Sequence, residues 1–144
     1  MYNRYLITGA TGFLGRAIVK ELVRLNVRVD ALVLRNDPYA ALLPGEVHTV
    51  IGDVCEDDSL ERFFADADNT TCVIHCAGII SVASRSGSKL YQVNIGGTCK
   101  VIRQCLEHHI GKMIYVSSVH AIPEKPKNCV ITEDCEFSPG LVDG

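Results

Sequence analysis

The sequence has no excess of basic residues and no long apolar run, and each absence excludes a class of function. Lys and Arg number 14 against 17 Asp and Glu, a formal net charge of -3, so the electrostatic footprint of a nucleic-acid-binding protein is missing. No apolar stretch approaches the roughly 20 residues that span a bilayer. The first residues, Met1 to Arg4, lack the apolar region of a signal peptide. We therefore expect a cytoplasmic protein that binds neither nucleic acid nor membranes.

The seven cysteines lack the spacing of a disulfide framework or a metal site. They are odd in number and scattered, with no Cys-x-x-Cys pair and no His at the spacing of zinc ligands. Cysteines in a reducing cytosol mostly behave as small buried hydrophobes. We expect that behaviour here, and no bound metal.

What the sequence does contain is a glycine-rich turn, Thr8-Gly9-Ala10-Thr11-Gly12-Phe13-Leu14-Gly15, between a strand pattern and an amphipathic helix pattern. Glycine at Gly9 permits a tight turn, Gly12 lets the backbone approach a pyrophosphate, and Gly15 lets the new helix pack closely on the sheet. The free N–H groups and the positive dipole at the helix start then face the ligand's negative charge. A plain strand-to-helix turn is the alternative, and the flanking patterns favour phosphate binding.

Strand and helix patterns alternate along the chain. Apolar strand patterns cover 5–7, 27–34, 47–51, 72–76 and 113–116, and helical periodicity covers 13–25, the stretch that opens at Asp57, and 90–109. Parallel neighbours need crossover helices, so this order predicts an α/β fold with a doubly wound parallel sheet in one domain over 1–144. The segment 117–144 has no clear periodicity and is expected to be mostly loop. Ligands of such sheets bind beyond the carboxyl ends of the strands.

Candidate cofactor-selecting residues follow the second and third predicted strands. Arg35 stands where an arginine can bind the extra phosphate of NADP, and this favours NADP over NAD. A solvated surface arginine is the alternative, and nearby Asp37 can still serve a ribose. The Asp53 carboxylate can accept from an adenine amino group while Val54 covers the ring, although an ordinary strand-ending turn also explains Asp53.

Small and polar residues follow the fourth and fifth strands. Ala77 and Gly78 have almost no side chain, which lets a ribose and nicotinamide lie against the backbone; a plain tight turn is the alternative. Asn94 lies on the long predicted helix, where its amide either binds the cofactor or faces solvent. Ser117 and Ser118 close the fifth strand, where a hydroxyl can hydrogen-bond a substrate carbonyl or alcohol, or merely end the strand.

Five motifs follow one another over roughly the first 120 residues: Thr8–Gly15, Gly52–Val54, Val73–Gly78, Val93–Thr98 and Tyr115–Ser118. Together they resemble the extended short-chain dehydrogenase/reductases, also called the NAD-dependent epimerase/dehydratase family. The resemblance implies a Rossmann fold, truncated after about five strands, that binds NADP or NAD. Arg35 makes the chain similar to the NADP-using branch that includes dihydroflavonol reductase.

The resemblance also implies roles for individual residues. The pyrophosphate would lie on the backbone of the glycine turn, adenine near Asp53, and the nicotinamide ribose near Ala77, while Ser118 matches the family's catalytic serine. The candidate cofactor-binding residues are Gly9, Thr11, Gly12, Phe13, Leu14, Gly15, Arg35, Asp53, Val54, Ala77, Gly78, Asn94 and Ser117.

The family's chemistry needs a Tyr-x-x-x-Lys pair, because the lysine ammonium lowers the pKa of a tyrosine one helical turn away. No tyrosine in the sequence is followed four residues later by lysine. We therefore expect an N-terminal cofactor-binding portion of an NADP(H)-linked carbonyl reductase or alcohol dehydrogenase, inactive alone, with the small-molecule substrate bound only by the full-length protein. The alternatives are a sugar-nucleotide epimerase or dehydratase fragment and a non-catalytic NADP-sensing module. An exposed fifth-strand edge would favour a homo-oligomer.

Overall fold

The computed structural model describes residues 2–80, 87–118, 122 and 129–135. The strands are β1 (Arg4–Thr8), β2 (Arg28–Val33), β3 (His48–Ile51), β4 (Thr71–His75) and β5 (Lys112–Tyr115). The helices are α1 (Phe13–Arg24), α2 (Asp57–Phe64), α3 (Ser88–Tyr91) and α4 (Thr98–Glu107). A 3₁₀ turn covers Ala40–Leu42, and a π-helical segment, Gln92–Gly97, joins α3 to α4.

The strands form one parallel sheet in the order β3-β2-β1-β4-β5. β2 and β3 lie on one side of β1, and β4 and β5 lie on the other, so the chain winds outward in both directions. Because all pairs are parallel, every carboxyl strand end lies at one edge. The predicted doubly wound α/β fold is confirmed. Within the described residues β5 is the terminal strand on its side of the sheet.

Alternation along the strands builds a core on each face of the sheet. Leu6 and Val73 face the layer of α2 and α4, where Phe63 is fully buried. Their neighbours Ile7 and Ile74 face the opposite layer with α1. Period-two alternation explains this division, because successive side chains of a strand point to opposite faces.

The structure differs from the predicted elements chiefly at the long helix and at one turn. The predicted helix at 90–109 starts earlier and contains the π-helical segment, and the 3₁₀ turn was not predicted.

The expectation that most cysteines are buried is wrong. Two of the seven, Cys72 and Cys105, are buried, and the other five are partly or fully exposed. Of the predicted loop 117–144, the described residues 117, 118, 122 and 129–135 form no helix or strand; the rest lies outside the described residues.

Candidate functional site

The glycine-rich turn between β1 and α1 leaves no room for side chains at two of its glycines. Gly9 has a positive φ of 67°, and a Cβ there would lie 2.6 Å from the Ala77 nitrogen and from the Cys76 carbonyl carbon. At Gly15 a Cβ would lie 2.1 Å from the Gly9 oxygen. The helix therefore packs directly on the turn that precedes it, rather than on the sheet alone, and the turn packs on the loop after β4.

The amino terminus of α1 faces no negative charge of its own. Gly12 is the N-cap residue, no side chain caps the helix, and its first turn contains no acidic residue. The first N–H groups of a helix lack intrahelical partners and carry the positive end of its dipole. The side chain of Phe13 is 90% exposed and that of Leu14 is 46% exposed, so these residues can offer a ligand their backbone rather than their side chains.

A cleft of about 300 Å³ opens at the carboxyl edge of the sheet. It brings together seven of the predicted site residues: Gly9, Thr11, Gly12, Asp53, Val54, Ala77 and Gly78. Its walls also include the apolar residues Leu32, Leu34, Ile79 and Val93 and the charged residues Asp37 and Lys89. The other predicted residues, Phe13, Leu14, Gly15, Arg35, Asn94, Ser117 and Ser118, do not line it.

Asp37 fastens the segment after β2 to the glycine turn. The Thr11 hydroxyl donates to Asp37 Oδ2 at 2.7 Å, and the backbone N–H of Tyr39 donates to Oδ1 at 2.9 Å. The Arg16 guanidinium of α1 lies 5.7 Å from the centre of the Tyr39 ring, within cation–π distance. Two contacts therefore hold this segment against α1 and its turn.

Arg35 lines a second cleft, of about 350 Å³, next to the first. The two clefts share Leu34, Gly52 and Asp53. Arg62 of α2 also lines the second cleft. The second cleft therefore contains two arginines and two carboxylates, those of Asp53 and Glu56.

The loop after β3 is shaped by Asp53 and Val54. Asp53 Oδ1 accepts a hydrogen bond from the Cys55 backbone N–H at 2.9 Å, which closes a local turn and leaves the other carboxylate oxygen for a ligand. Val54 is buried against the π-helical segment, where a Cβ on Gly97 would lie 2.7 Å from Val54 Cγ2. The absent side chain at Gly97 therefore lets the helix approach this loop.

Asn94 holds the loop after β4 rather than facing the cleft. Its Oδ1 accepts from the Ile79 N–H at 2.8 Å, and its Nδ2 donates to the Ile79 carbonyl at 2.9 Å. Ser117 and Ser118 follow β5 at the same sheet edge and are exposed. Asn94 acts on the candidate site through Ile79, which lines the cleft.

A buried polar relay that the sequence did not reveal lies beneath the cleft. The Ala77 N–H donates to Thr8 Oγ1 at 3.3 Å, and Thr8 Oγ1 lies 2.6 Å from His75 Nδ1. The other ring nitrogen, Nε2, lies 2.9 Å from Thr98 Oγ1, so each ring nitrogen has a hydroxyl partner. Burial lowers the pKa of His75 to about 4, so the ring is neutral at pH 7. The sequence contains one sign of this relay, because the polar residues Thr8 and His75 end two apolar strands.

No group of three or more His, Cys, Asp or Glu side chains is arranged to hold a metal ion in the part of the chain that the structure describes.

The 3-beta hydroxysteroid dehydrogenase/isomerase family model matches residues 6–138. The chain belongs to this family. The predicted membership of the extended short-chain dehydrogenase/reductases is thereby confirmed, with a Rossmann NAD(P)-binding fold.

Two proteins similar to this chain carry the name of the family. Human 3 beta-hydroxysteroid dehydrogenase type 7 is 30% identical over 130 residues, which cover 85% of this chain and 34% of the human protein. Monkeypox virus 3 beta-hydroxysteroid dehydrogenase/Delta 5-->4-isomerase is 30% identical over 147 residues, covering 96% of this chain and 41% of the viral protein. The chain thus spans between a third and a half of the length of these relatives.

Among solved structures, Thermus thermophilus UDP-glucose 4-epimerase, in complex with NAD, matches the family member with a TM-score of 0.83 at 24% identity. The match covers 96% of this chain and 45% of the epimerase. This likeness supports the fold. No helix among the described residues is long and apolar enough to cross a membrane.

Proposed function

We propose that residues 1–144 form the dinucleotide-binding domain of an NAD(P)-dependent oxidoreductase that interconverts an alcohol and a carbonyl group on a small-molecule substrate. The observation that carries the proposal is the cleft at the carboxyl edge of the sheet, where the glycine turn and the strand-end residues meet. The names of the relatives denote dehydrogenases of hydroxysteroids, which is the same class of reaction.

The residues present fit a dinucleotide. A turn without room for a Cβ at Gly9, followed by an uncapped helix terminus, suits a diphosphate, because backbone N–H groups can then approach it closely. The remaining oxygen of Asp53 can accept from an adenine amino group, and Ala77 and Gly78 leave space for the nicotinamide ribose. When bound, the dinucleotide supplies the acceptor or donor of a hydride.

We infer that these residues bind the dinucleotide but do not catalyse the reaction alone. Proton transfer in this proposal requires a tyrosine whose pKa is lowered by a lysine, and no tyrosine in the sequence has a lysine four residues later. Ser118, at the end of β5, would hydrogen-bond the reacting oxygen in the whole protein. Nothing in these residues identifies the substrate.

For the cofactor we propose NADP. Arg35 and Arg62 line the second cleft, which adjoins the candidate adenosine side of the main cleft. A 2′-phosphate placed there would meet two arginines, whose guanidinium groups form charge-assisted hydrogen bonds with phosphate. These bonds would have to outweigh the repulsion by Asp53 and Glu56, which line the same cleft. Asp37, the residue that would favour NAD by binding a ribose, accepts one hydrogen bond on each oxygen, from Thr11 and from Tyr39.

The test is titration calorimetry of NADP+ and NAD+ with the wild-type chain and with Arg35→Ala. We expect wild type to prefer NADP+, and the variant to lose about tenfold in NADP+ affinity, the size of one charge-assisted hydrogen bond, with NAD+ affinity unchanged. Arg24→Ala is the matched control, because Arg24 pairs with Glu21 on α1 and lines neither cleft. Tighter binding of NAD+ by wild type would overturn the NADP assignment, and binding of neither would overturn the proposed function.

A sugar-nucleotide epimerase or dehydratase is the second candidate, and the observation that favours it is Asp37. Its carboxylate lines the main cleft and can accept further hydrogen bonds from the ribose of NAD. NAD+ preference that disappears in Asp37→Asn would support this reading. A non-catalytic NADP sensor would instead bind NADP+ as expected, and the protein isolated from its native cell would show no turnover.

We further propose that the chain self-associates through the β5 edge. Among the described strands β5 is terminal, and Ile114 and Tyr115 on it are 41% and 54% exposed. Unpaired backbone groups on a strand edge can pair with a second copy. Analytical ultracentrifugation should show concentration-dependent dimers, and a strictly monomeric species at high concentration would contradict the proposal.

A further inference from the structure

The main cleft is poor in positive charge for a site that would hold a diphosphate. Among the described residues that line it, Asp37 and Asp53 carry negative charge and Lys89 supplies the one positive side chain. A dinucleotide diphosphate is dianionic, and two carboxylates in the same cleft repel it. The backbone N–H groups at the start of α1 offset part of this repulsion, which leaves Lys89 as the candidate for the rest.

Lys89 lies on the cleft wall in α3, directly before the π-helical segment. The segment begins three residues after Lys89, and Val93, one turn beyond Lys89, lines the same cleft. Asn94 ties the segment to the loop after β4 through both bonds to Ile79. The close approach of Gly97 to Val54 ties it to the loop after β3. A π-helical turn at such a place is typical of functional sites.

Lys89 is available to a ligand. No carboxylate of the described residues lies within ion-pair distance of its ammonium, whereas Lys100, farther along the same helical stretch, is paired with Asp57. The positive charge of Lys89 also acts on Cys55, in the loop after β3. Burial and Asp53 raise the pKa of the Cys55 thiol, and the ammonium groups of Lys100 and Lys89 act in the opposite direction.

We propose that the Lys89 ammonium, on the wall of the main cleft, binds the diphosphate of the dinucleotide. This inference rests on the proposed function. The turn and α1 supply backbone N–H groups, and Lys89 supplies a full positive charge in the same cleft. The ligand class is therefore a nucleoside diphosphate derivative, and adenosine, which lacks phosphate, would not sense the residue.

The test compares wild type with Lys89→Gln by titration calorimetry at low ionic strength, where charge interactions are least screened. The probes are adenosine and whichever of NADP+ and NAD+ wild type binds more tightly. We expect the variant to bind the dinucleotide about five- to tenfold more weakly, as for one partly exposed charge-assisted contact, and adenosine equally well. Lys89→Arg should retain most of the affinity. Lys20→Gln, on the exposed face of α1, is the control for loss of one charge.

The outcomes separate this inference from the proposed function. Dinucleotide binding by Lys89→Gln with the wild-type Kd would overturn the role of Lys89 and leave the proposed function intact. An equal loss for adenosine and dinucleotide would also overturn it, because the residue would then act on the shape of the cleft. Failure of wild type to bind either dinucleotide would overturn the proposed function itself.

Discussion

At the amino edge of the sheet Asp30 is completely buried and its carboxylate is fully bonded, whereas at the carboxyl edge Asp37 and Asp53 line an open cleft. Asp30 accepts from the Arg4 guanidinium and lies 3.0 Å from His48 Nδ1. Asp37 accepts from Thr11 and Tyr39, and Asp53 accepts from the Cys55 N–H, yet both residues line the cleft. The difference indicates that one edge uses charge to fix the strands in place and the other keeps charge available for a ligand.

The amino edge is a closed arrangement of charges. Arg4 also donates from Nη1 to the Ala65 carbonyl at 2.7 Å, and the Arg28 guanidinium lies 3.4 Å from Asp30. These bonds join β1, β2, β3 and the end of α2. Removing one partner from such a cluster leaves another buried charge uncompensated, which costs far more than the net contribution of the pair.

The largest effect should come from breaking this edge with Asp30→Asn. We expect the free energy of unfolding to fall by about 3 to 5 kcal/mol, because the Arg4 guanidinium stays buried without its counter-charge. Urea unfolding monitored by circular dichroism would measure it.

Two further variants sharpen the Asp30 test. Glu46→Gln, at an exposed carboxylate in the turn before β3, should change the unfolding free energy by less than about 0.5 kcal/mol. If Asp30→Asn does not fold, the double variant Arg4→Met with Asp30→Leu should recover a folded protein, because it removes the buried charges together. An Asp30→Asn protein as stable as wild type would show that the amino edge does not depend on this charge.

Much of the carboxyl edge could be predicted from the sequence, and little of the amino edge. The glycine turn and the strand-ending residues stand at fixed positions relative to apolar runs, so their place at one edge follows from parallel topology alone. Asp30 lies inside an apolar strand pattern, and its partners Arg4 and His48 come from other strands. Only the register of β1, β2 and β3 reveals that they meet.

The roles of Lys89 and His75 could not be predicted from the sequence for a related reason. The helical periodicity of 90–109 predicts a regular helix, whereas the π-helical segment that directs its first turns toward the cleft depends on contacts with Ile79 and Val54. His75 is the last residue of an apolar strand and gains its meaning from Thr8 and Thr98, which are distant in sequence.

The polar relay beneath the cleft can be tested by pH. The pKa of His75 is lowered from 6.5 to about 4 by burial, so below pH 6.5 the unfolded chain takes up a proton that the folded protein does not. His75 therefore leaves the free energy of unfolding unaffected above pH 6.5. As the pH falls toward 4, proton uptake by the unfolded chain lowers that free energy, by about 3 kcal/mol between pH 7 and pH 4.

Chemical unfolding of His75→Gln across this range would isolate the histidine from the carboxylates that titrate with it. The variant should lose less stability than wild type between pH 7 and pH 4, whatever its stability at pH 7. His109→Asn, at an exposed histidine with a positive φ of 51°, should follow the wild-type curve. A pH dependence in His75→Gln identical to that of wild type would mean that His75 is not held neutral.

The smallest of the three effects on stability should come from adding one methyl group at the carboxyl edge, in Gly9→Ala. The new Cβ would lie 2.6 Å from the Ala77 nitrogen at a positive φ of 67°, so the turn and the loop after β4 must separate, at about 2 kcal/mol of unfolding free energy. Binding should suffer more, with NADP+ affinity falling more than about tenfold, because the shifted backbone amides no longer converge on the diphosphate. Gly45→Ala, where a Cβ meets nothing within 4 Å, should leave both quantities unchanged. A Gly9→Ala protein that is destabilised yet binds NADP+ with the wild-type Kd would place the ligand away from the turn, and the contrast between a structural edge and a binding edge would fail.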